Sequence, residues 1–287
     1  MNPLVVVILI AAVACAFALV ASALTRDHSW VDRLWSILPV VYCGVFAGAA
    51  GFADTRLNVM AVLVLLWGVR LTANFARKGG YTGTEDYRWA VLRQRMSAGQ
   101  FLLFNLFFIV LYQNVILVLI TFPALTALEN RGTPFGVPDV IASVAFLAFL
   151  ILETVADEQQ WRFHQRKKSG QPVERPFLTS GLWKFSRHPN FFFEQAQWWT
   201  LFSFGAIAAG SVVQWTVLGA FLLTLLFVGS TIFTESITAS KYPAYAEYRA
   251  RTSPIVPWFP RGHARRDPVA EPSQHGESAD DAVRAVE

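Results

Sequence analysis

Apolar residues run in long blocks along this chain, and the polar residues gather between the blocks. Seven blocks approach the roughly 20 residues that a helix needs to cross a bilayer: 4–24, 35–53, 57–75, 101–125, 138–156, 190–209 and 212–233. The pattern predicts an all-α, polytopic membrane protein with about seven transmembrane helices. Ala21-Ser22-Ala23 resembles a signal-peptide cleavage site. Met1-Asn2-Pro3 brings no lysine or arginine, however, and the apolar run is longer than a usual h-region, so the first block reads as an uncleaved helix.

Composition sharpens this picture. The chain is 54% hydrophobic and 15% charged, with a mean hydropathy of +0.40, whereas an average soluble domain carries about 25% charged residues. A soluble enzyme, a nucleic-acid binder and a disordered regulator are all poor descriptions of such a chain. The formal charge of +4 does not reverse that, because the basic residues sit in short loops between the blocks. No nucleic-acid partner is expected; membrane lipids are. From loop to loop, and then in the tail, Lys plus Arg runs 2, 1, 5, 1, 7, 0 and 7, with Arg70 inside the third block. The positive-inside rule then places the N-terminus outside, and the loops 25–34, 76–100 and 157–189 in the cytoplasm with the C-terminus.

Residues 1–260 read as one membrane domain. Beyond Pro260 the composition turns to Arg, Asp, Glu, Ser, Pro and Ala without periodicity, and 261–287 reads as a disordered cytoplasmic tail. The chain shows no internal repeat of the transporter kind. Cys15 and Cys43 lie inside apolar blocks, which suggests packing and gives neither a disulfide framework nor a metal site. The short chain and its Ala and Arg usage point to a bacterial inner (plasma) membrane. Nothing in the sequence fixes an oligomeric state.

Polar groups at membrane depth are costly and mark candidate sites. Glu153, Asp157, Gln160 and His164 are spaced four, three and four, on one helical face; for His164 alone a solvated helix extension is sufficient. A second group is Lys184, Arg187, His188, Pro189, Asn190 and Glu194. Pro189 suits the first turn of a helix, whose N-terminus beside Arg187, His188 and Arg175 is an anion site. Asn190 and Glu194 lie one turn apart, and a snorkelling Arg with a capping group would not explain Glu194. Gly79-Gly80-Tyr81-Thr82-Gly83 leads to a short helix that Thr84 can cap; no strand precedes it, so it is not a dinucleotide fingerprint. Tyr112, Gln113 and Asn114 sit mid-block and suit either a cavity lining or interhelical hydrogen bonds.

The segment Gly181-Leu182-Trp183 … Ser186-Arg187-His188-Pro189-Asn190 … Glu194 resembles the C-terminal signature of the steroid 5α-reductase superfamily. More closely, it is similar to a mostly uncharacterised prokaryotic branch described as a domain of unknown function. Asp32-Arg33-Leu34-Trp35 with Pro39, Trp67-Gly68-Val69-Arg70-Leu71 and Glu85-Asp86-Tyr87-Arg88-Trp89 match as well. So does the ending from Lys241-Tyr242-Pro243 through Tyr245 and Tyr248 to Pro254 and Pro257, and the likeness covers about 25–260.

The resemblance implies a seven-helix fold that holds NADPH in a pocket open to the cytoplasm. Hydride would pass to a conjugated carbon–carbon double bond of a steroid- or isoprenoid-like lipid. By matching position, Asn190 and Glu194 would hold the nicotinamide and ribose with Asp157, and basic loop residues with Tyr245 or Tyr248 would surround the phosphates and adenosine. The candidate cofactor set is thus Asp157, Gln160, Arg166, Arg187, His188, Asn190, Glu194, Tyr245 and Tyr248. The steroid reductases polarise the substrate carbonyl with a Glu and a Tyr whose places here read Ile37 and Trp67. Neither is an acid, so either another group such as Tyr112 or Tyr42 serves or the substrate differs, and Tyr112 with Gln113 are the catalytic candidates. The related isoprenylcysteine carboxyl methyltransferases share the Arg-His-Pro segment but bind S-adenosylmethionine; Asn190 followed by Glu194 is closer to the reductases. A non-enzymatic lipid-binding protein is the third reading.

Overall fold

The computed structural model describes residues 1–83 and 85–262. Among them the chain is helical throughout, with no strand and one isolated bridge between Ser186 and Ser253. Helix α1 (Pro3–Thr25) opens on Asn2, whose side chain accepts from the Leu4 N–H at 2.9 Å. The block expected at 35–53 starts earlier and is split into α2 (Trp30–Trp35) and α3 (Leu38–Ala49). Pro39 has no N–H for the Trp35 carbonyl, which is where the helix breaks. Asp54 caps α4 (Thr55–Arg77) through the Leu57 N–H at 2.8 Å.

Asp86 caps α5 (Tyr87–Arg95), so this helix begins later than expected, and Thr84 lies outside the described residues. The fourth block becomes α6 (Ala98–Phe104), a π-helical stretch (Asn105–Tyr112), α7 (Gln113–Leu119) and α8 (Phe122–Glu129), the last break falling ahead of Pro123. Helix α9 (Val137–Lys168) continues well past its apolar block. A 3₁₀ turn (Gly181–Lys184) precedes α10 (Pro189–Ala209). Residues 210–216 then lead to α11 (Val217–Lys241), a longer connection than the two residues expected, and α12 (Tyr245–Arg251) follows. The expected disordered tail lies outside the described residues from 263 onward.

Six segments among the described residues are long and apolar enough to cross a membrane: Pro3–Thr25, Trp30–Ala49, Thr55–Arg77, Ala98–Glu129, Val137–Lys168 and Val217–Lys241. This is a polytopic membrane protein. The seventh expected segment is α10, whose 21 residues suffice in length but include Asn190, Glu194, Gln195 and Gln197. By composition the count is therefore six rather than seven. Helix α10 still runs antiparallel to α9 over the same depth. Asn190 meets Asp157 at one end, and at the other the Thr133 hydroxyl, just before α9, donates to the Ala208 carbonyl at 2.7 Å.

Helix α10 is the centre of the bundle, packed on α9, α8, α11 and α4. Asn190, Glu194 and Gln197 turn inward to partners on the neighbouring helices, which is why a polar helix is tolerated here. The core around it includes Trp67, Trp198, Leu201, Phe204 and Phe146, all essentially without exposure. A Cβ on Gly68 would sit 2.6 Å from the Ser36 carbonyl oxygen, so glycine lets α4 press against the α2–α3 break and brings Trp35 toward α10. At the end away from the candidate residues, Arg56 donates to both Asp139 oxygens at 2.6 and 3.0 Å and to the Thr133 and Pro134 carbonyls. Arg56 counted only as a loop charge in the sequence, yet it is wholly buried.

Candidate functional site

Two buried ionic groups flank the start of α10. The first lies between α4, α9 and α10. Arg70 donates to Glu153 at 2.6 Å and also to Asp157. Asn74, one turn further along α4, donates to Asp157 at 2.8 Å, and Lys78 lies 3.7 Å from the same carboxylate. Burial pushes the Lys78 ammonium below its ordinary range, with Asp157 acting against that. From α10, Gln197 donates to Glu153 at 2.7 Å and Asn190 to Asp157 at 3.4 Å. Glu194 is 8% exposed, and its one hydrogen bond here is a long one, 3.4 Å, from the Trp35 indole N–H.

The group has a polarity of its own. Both amides spend N–H donors on carboxylates, while Asn190 Oδ1 and Gln197 Oε1 are buried without a donor. Three carboxylates, Glu153, Asp157 and Glu194, face the two cations Arg70 and Lys78. The site is thus rich in acceptors and holds one carboxyl group more than it has cations.

The second group forms where α10, α11 and α12 meet. Arg187 donates to both Glu235 oxygens at 2.6 and 3.0 Å, to the Arg249 carbonyl at 2.9 Å and to the Thr252 carbonyl. His188 Nε2 lies 3.3 Å from Glu235, and Arg249 lies 3.4 Å from it. Tyr248 donates to the Trp183 carbonyl and packs with Tyr245 against Phe177. Burial pushes both tyrosine hydroxyls above their ordinary range. Gly181, at φ 64°, turns the chain so that the Leu182 N–H donates to Gln159 at 2.9 Å; a Cβ there would meet that side chain at 2.5 Å.

The candidates fall out accordingly. Asp157, Asn190 and Glu194 share the first group, and Gln160 stands at its edge, accepting from Lys78 at 3.5 Å. Arg187, His188, Tyr245 and Tyr248 share the second, where every Arg187 donor nitrogen is spent on protein. Of the other basic residues, Arg162 pairs with Glu158, Arg175 with Glu247, and Lys167 donates to the Pro176 carbonyl and the Tyr242 hydroxyl. Arg166 and Lys168 are exposed on the last turn of α9. Tyr112 and Gln113 join neither group. The Tyr112 hydroxyl, at the end of the π-helical stretch, reaches the Leu222 carbonyl of α11 at 3.4 Å and its ring stacks on Phe108, while α7, which carries Gln113, packs on α1, α3 and α11.

A family model described as "Protein of unknown function (DUF1295)" matches residues 18–252. The chain belongs to the DUF1295 family. It is also similar to an uncharacterized protein of the fission yeast Schizosaccharomyces pombe, 37% identical over 281 residues, covering 91% of this chain and 82% of the yeast protein. No solved structure matches the chain. In this DUF1295 protein the residues that the sequence reading left without a role are Arg70, Asn74, Gln197 and Glu235. Arg70, Asn74 and Lys78 repeat at intervals of four, and an arginine inside an apolar block requires a partner acid. That signal was present in the sequence.

Proposed function

We propose that this DUF1295 protein is a membrane-bound NADPH-dependent reductase that saturates a conjugated carbon–carbon double bond of a lipid. The observation that carries this reading is the acceptor-rich face on α10: two orphaned amide oxygens and a carboxylate without a cation in contact. A nicotinamide end fits such a face in two ways. Its carboxamide offers donors to Asn190 Oδ1 and Gln197 Oε1, and the surplus carboxyl, once ionised, favours the positive ring of the oxidised form over the neutral reduced one. A bound NADPH would supply a hydride there. Arg70 holds Glu153 and Asp157 in place, and these carboxylates in turn orient Gln197 and Asn190. Arg166 and Lys168 remain available to a phosphate near the cytoplasmic mouth.

The lipid part of the reading draws on an outward groove of about 820 Å³ between α9, α10 and α11. Its polar side chains Gln195, Thr200, Ser203 and Thr224 all donate to carbonyls of their own helices. The groove thus offers its occupant mainly hydrocarbon contact.

The test is thermal stabilisation of detergent-purified protein by NADPH, NADH and S-adenosylmethionine, since a bound ligand raises apparent stability by mass action. NADPH is expected to raise Tm. A rise with S-adenosylmethionine alone would move the reading to methyl transfer, because a sulfonium also suits a surplus carboxylate.

A further inference from the structure

We propose that Glu194 is held as the neutral acid in the ligand-free protein and is the proton donor of the reduction. The proposal rests on the reductase reading above. Hydride addition to a conjugated double bond needs a proton as well, and the positions where the steroid reductases carry acids are here Ile37 and Trp67. Ile37 is 41% exposed, on the outside of the bundle, and Trp67 is fully buried against Trp198.

Charge balance assigns the proton. Arg70 is shared by Glu153 and Asp157, and Lys78 adds to Asp157. Glu153 also accepts from Gln197, and Asp157 from Asn74 and Asn190. Glu194 has neither a cation in contact nor more than the long Trp35 bond. The other helices packed on α10 bring it no cation. On α11, Glu235 is committed to Arg187 and close to His188, and the α8 acid, Glu129, is exposed at the far end of its helix. A buried carboxylate with two others close by, and with the nearest guanidinium, Arg70, already bonded to those two, takes up a proton rather than remain charged. The second observation is Gln197 Oε1, which lies in the same group, is without exposure and lacks a donor. It is an acceptor built into a place where an acid O–H or a ligand N–H is needed.

The chemistry balances. The substrate's double bond receives the nucleotide's hydride on one carbon, and its released π pair takes the Glu194 proton on the other. Two C–H bonds would form, the nucleotide would be oxidised, and Glu194 would be left as a carboxylate that the positive ring attracts. That attraction makes donation easiest once hydride has left. The acid is then recharged from the cytoplasmic side, where Lys78 and Gln160 border the group.

The test begins without turnover. Infrared spectra of the ligand-free, detergent-purified protein at neutral pH are expected to show the carbonyl stretch of a protonated carboxyl, absent in Glu194→Gln and present in Glu153→Gln. Titration with NADP⁺ in weakly buffered solution is expected to release about one proton per nucleotide bound, and none in Glu194→Gln. Reduction by Glu194→Gln should then be about 10²–10⁴-fold slower. The lack of an acid band, or a band that survives Glu194→Gln, overturns the proposal while leaving nucleotide binding intact. If neither nucleotide raises Tm, the cofactor reading falls and the transfer step with it, whereas the resting proton is still decided by the band.

Discussion

Arg187 grips Glu235 through two parallel hydrogen bonds of 2.6 and 3.0 Å, and both side chains are buried. This pair ties the start of α10 to the end of α11, while the remaining Arg187 nitrogen fastens the α12 segment through the Arg249 and Thr252 carbonyls. Arg187→Ala leaves a buried carboxylate with reduced compensation, so the ligand-free protein is expected to lose about 3–5 kcal/mol. Denaturation in detergent checks this, and a loss below about 1 kcal/mol would show the clamp to be dispensable.

The same substitution logic gives the opposite result at Glu194. It holds no cation, so Glu194→Gln is expected to leave apo stability within about 0.5 kcal/mol of the parent. Asn190→Ala, by contrast, is expected to weaken NADPH about five- to tenfold, the worth of one amide hydrogen bond. Affinity and apo Tm measured together separate the two roles. An apo stability loss with unchanged affinity per folded molecule would return Asn190 to packing.

Arg56 and Asp139 provide a control far from the site. Arg56→Ala strands a fully buried carboxylate and should cost about 3–5 kcal/mol, whereas Arg56→Leu combined with Asp139→Leu should recover most of it. A double mutant as unstable as the single would mean that the carbonyl contacts, rather than the ion pair, hold the α4–α9 end together.

Alkaline stability follows from Tyr248. Its hydroxyl is raised above the ordinary value of 10.0, mainly by burial. The unfolded chain therefore loses this proton first, and stability present below about pH 10 is lost as pH rises through the higher folded value. Tyr248→Phe should flatten that alkaline decline. An unchanged slope would assign the decline to other groups.

Topology is checked with reporter fusions at residue 131 and in the tail. The loop charges 2, 1, 5, 1, 7, 0 and 7 place these on opposite sides of the membrane. Finding both on one side would remove the crossing by α10.

The sequence by itself determined the helical segments, because the cost of burying polar backbone in lipid is read block by block along the chain. Pro189 opening α10 is local too, because proline's fixed backbone angle suits a first helical turn. It also singled out Asp157, Asn190 and Glu194, since a polar group at membrane depth is conspicuous whatever surrounds it. Only the tertiary structure decided the partners. Arg70 and Glu153 are 83 residues apart, as are Arg56 and Asp139, and Arg187 and Glu235 are 48 apart. Helical spacing tells which residues share a face but not which faces meet, and that is set by how the helices pack. For this reason the polar α10 lies at the centre of the bundle, Tyr112 bonds to Leu222 rather than to a member of the carboxylate group, and Arg187 is fastened to Glu235.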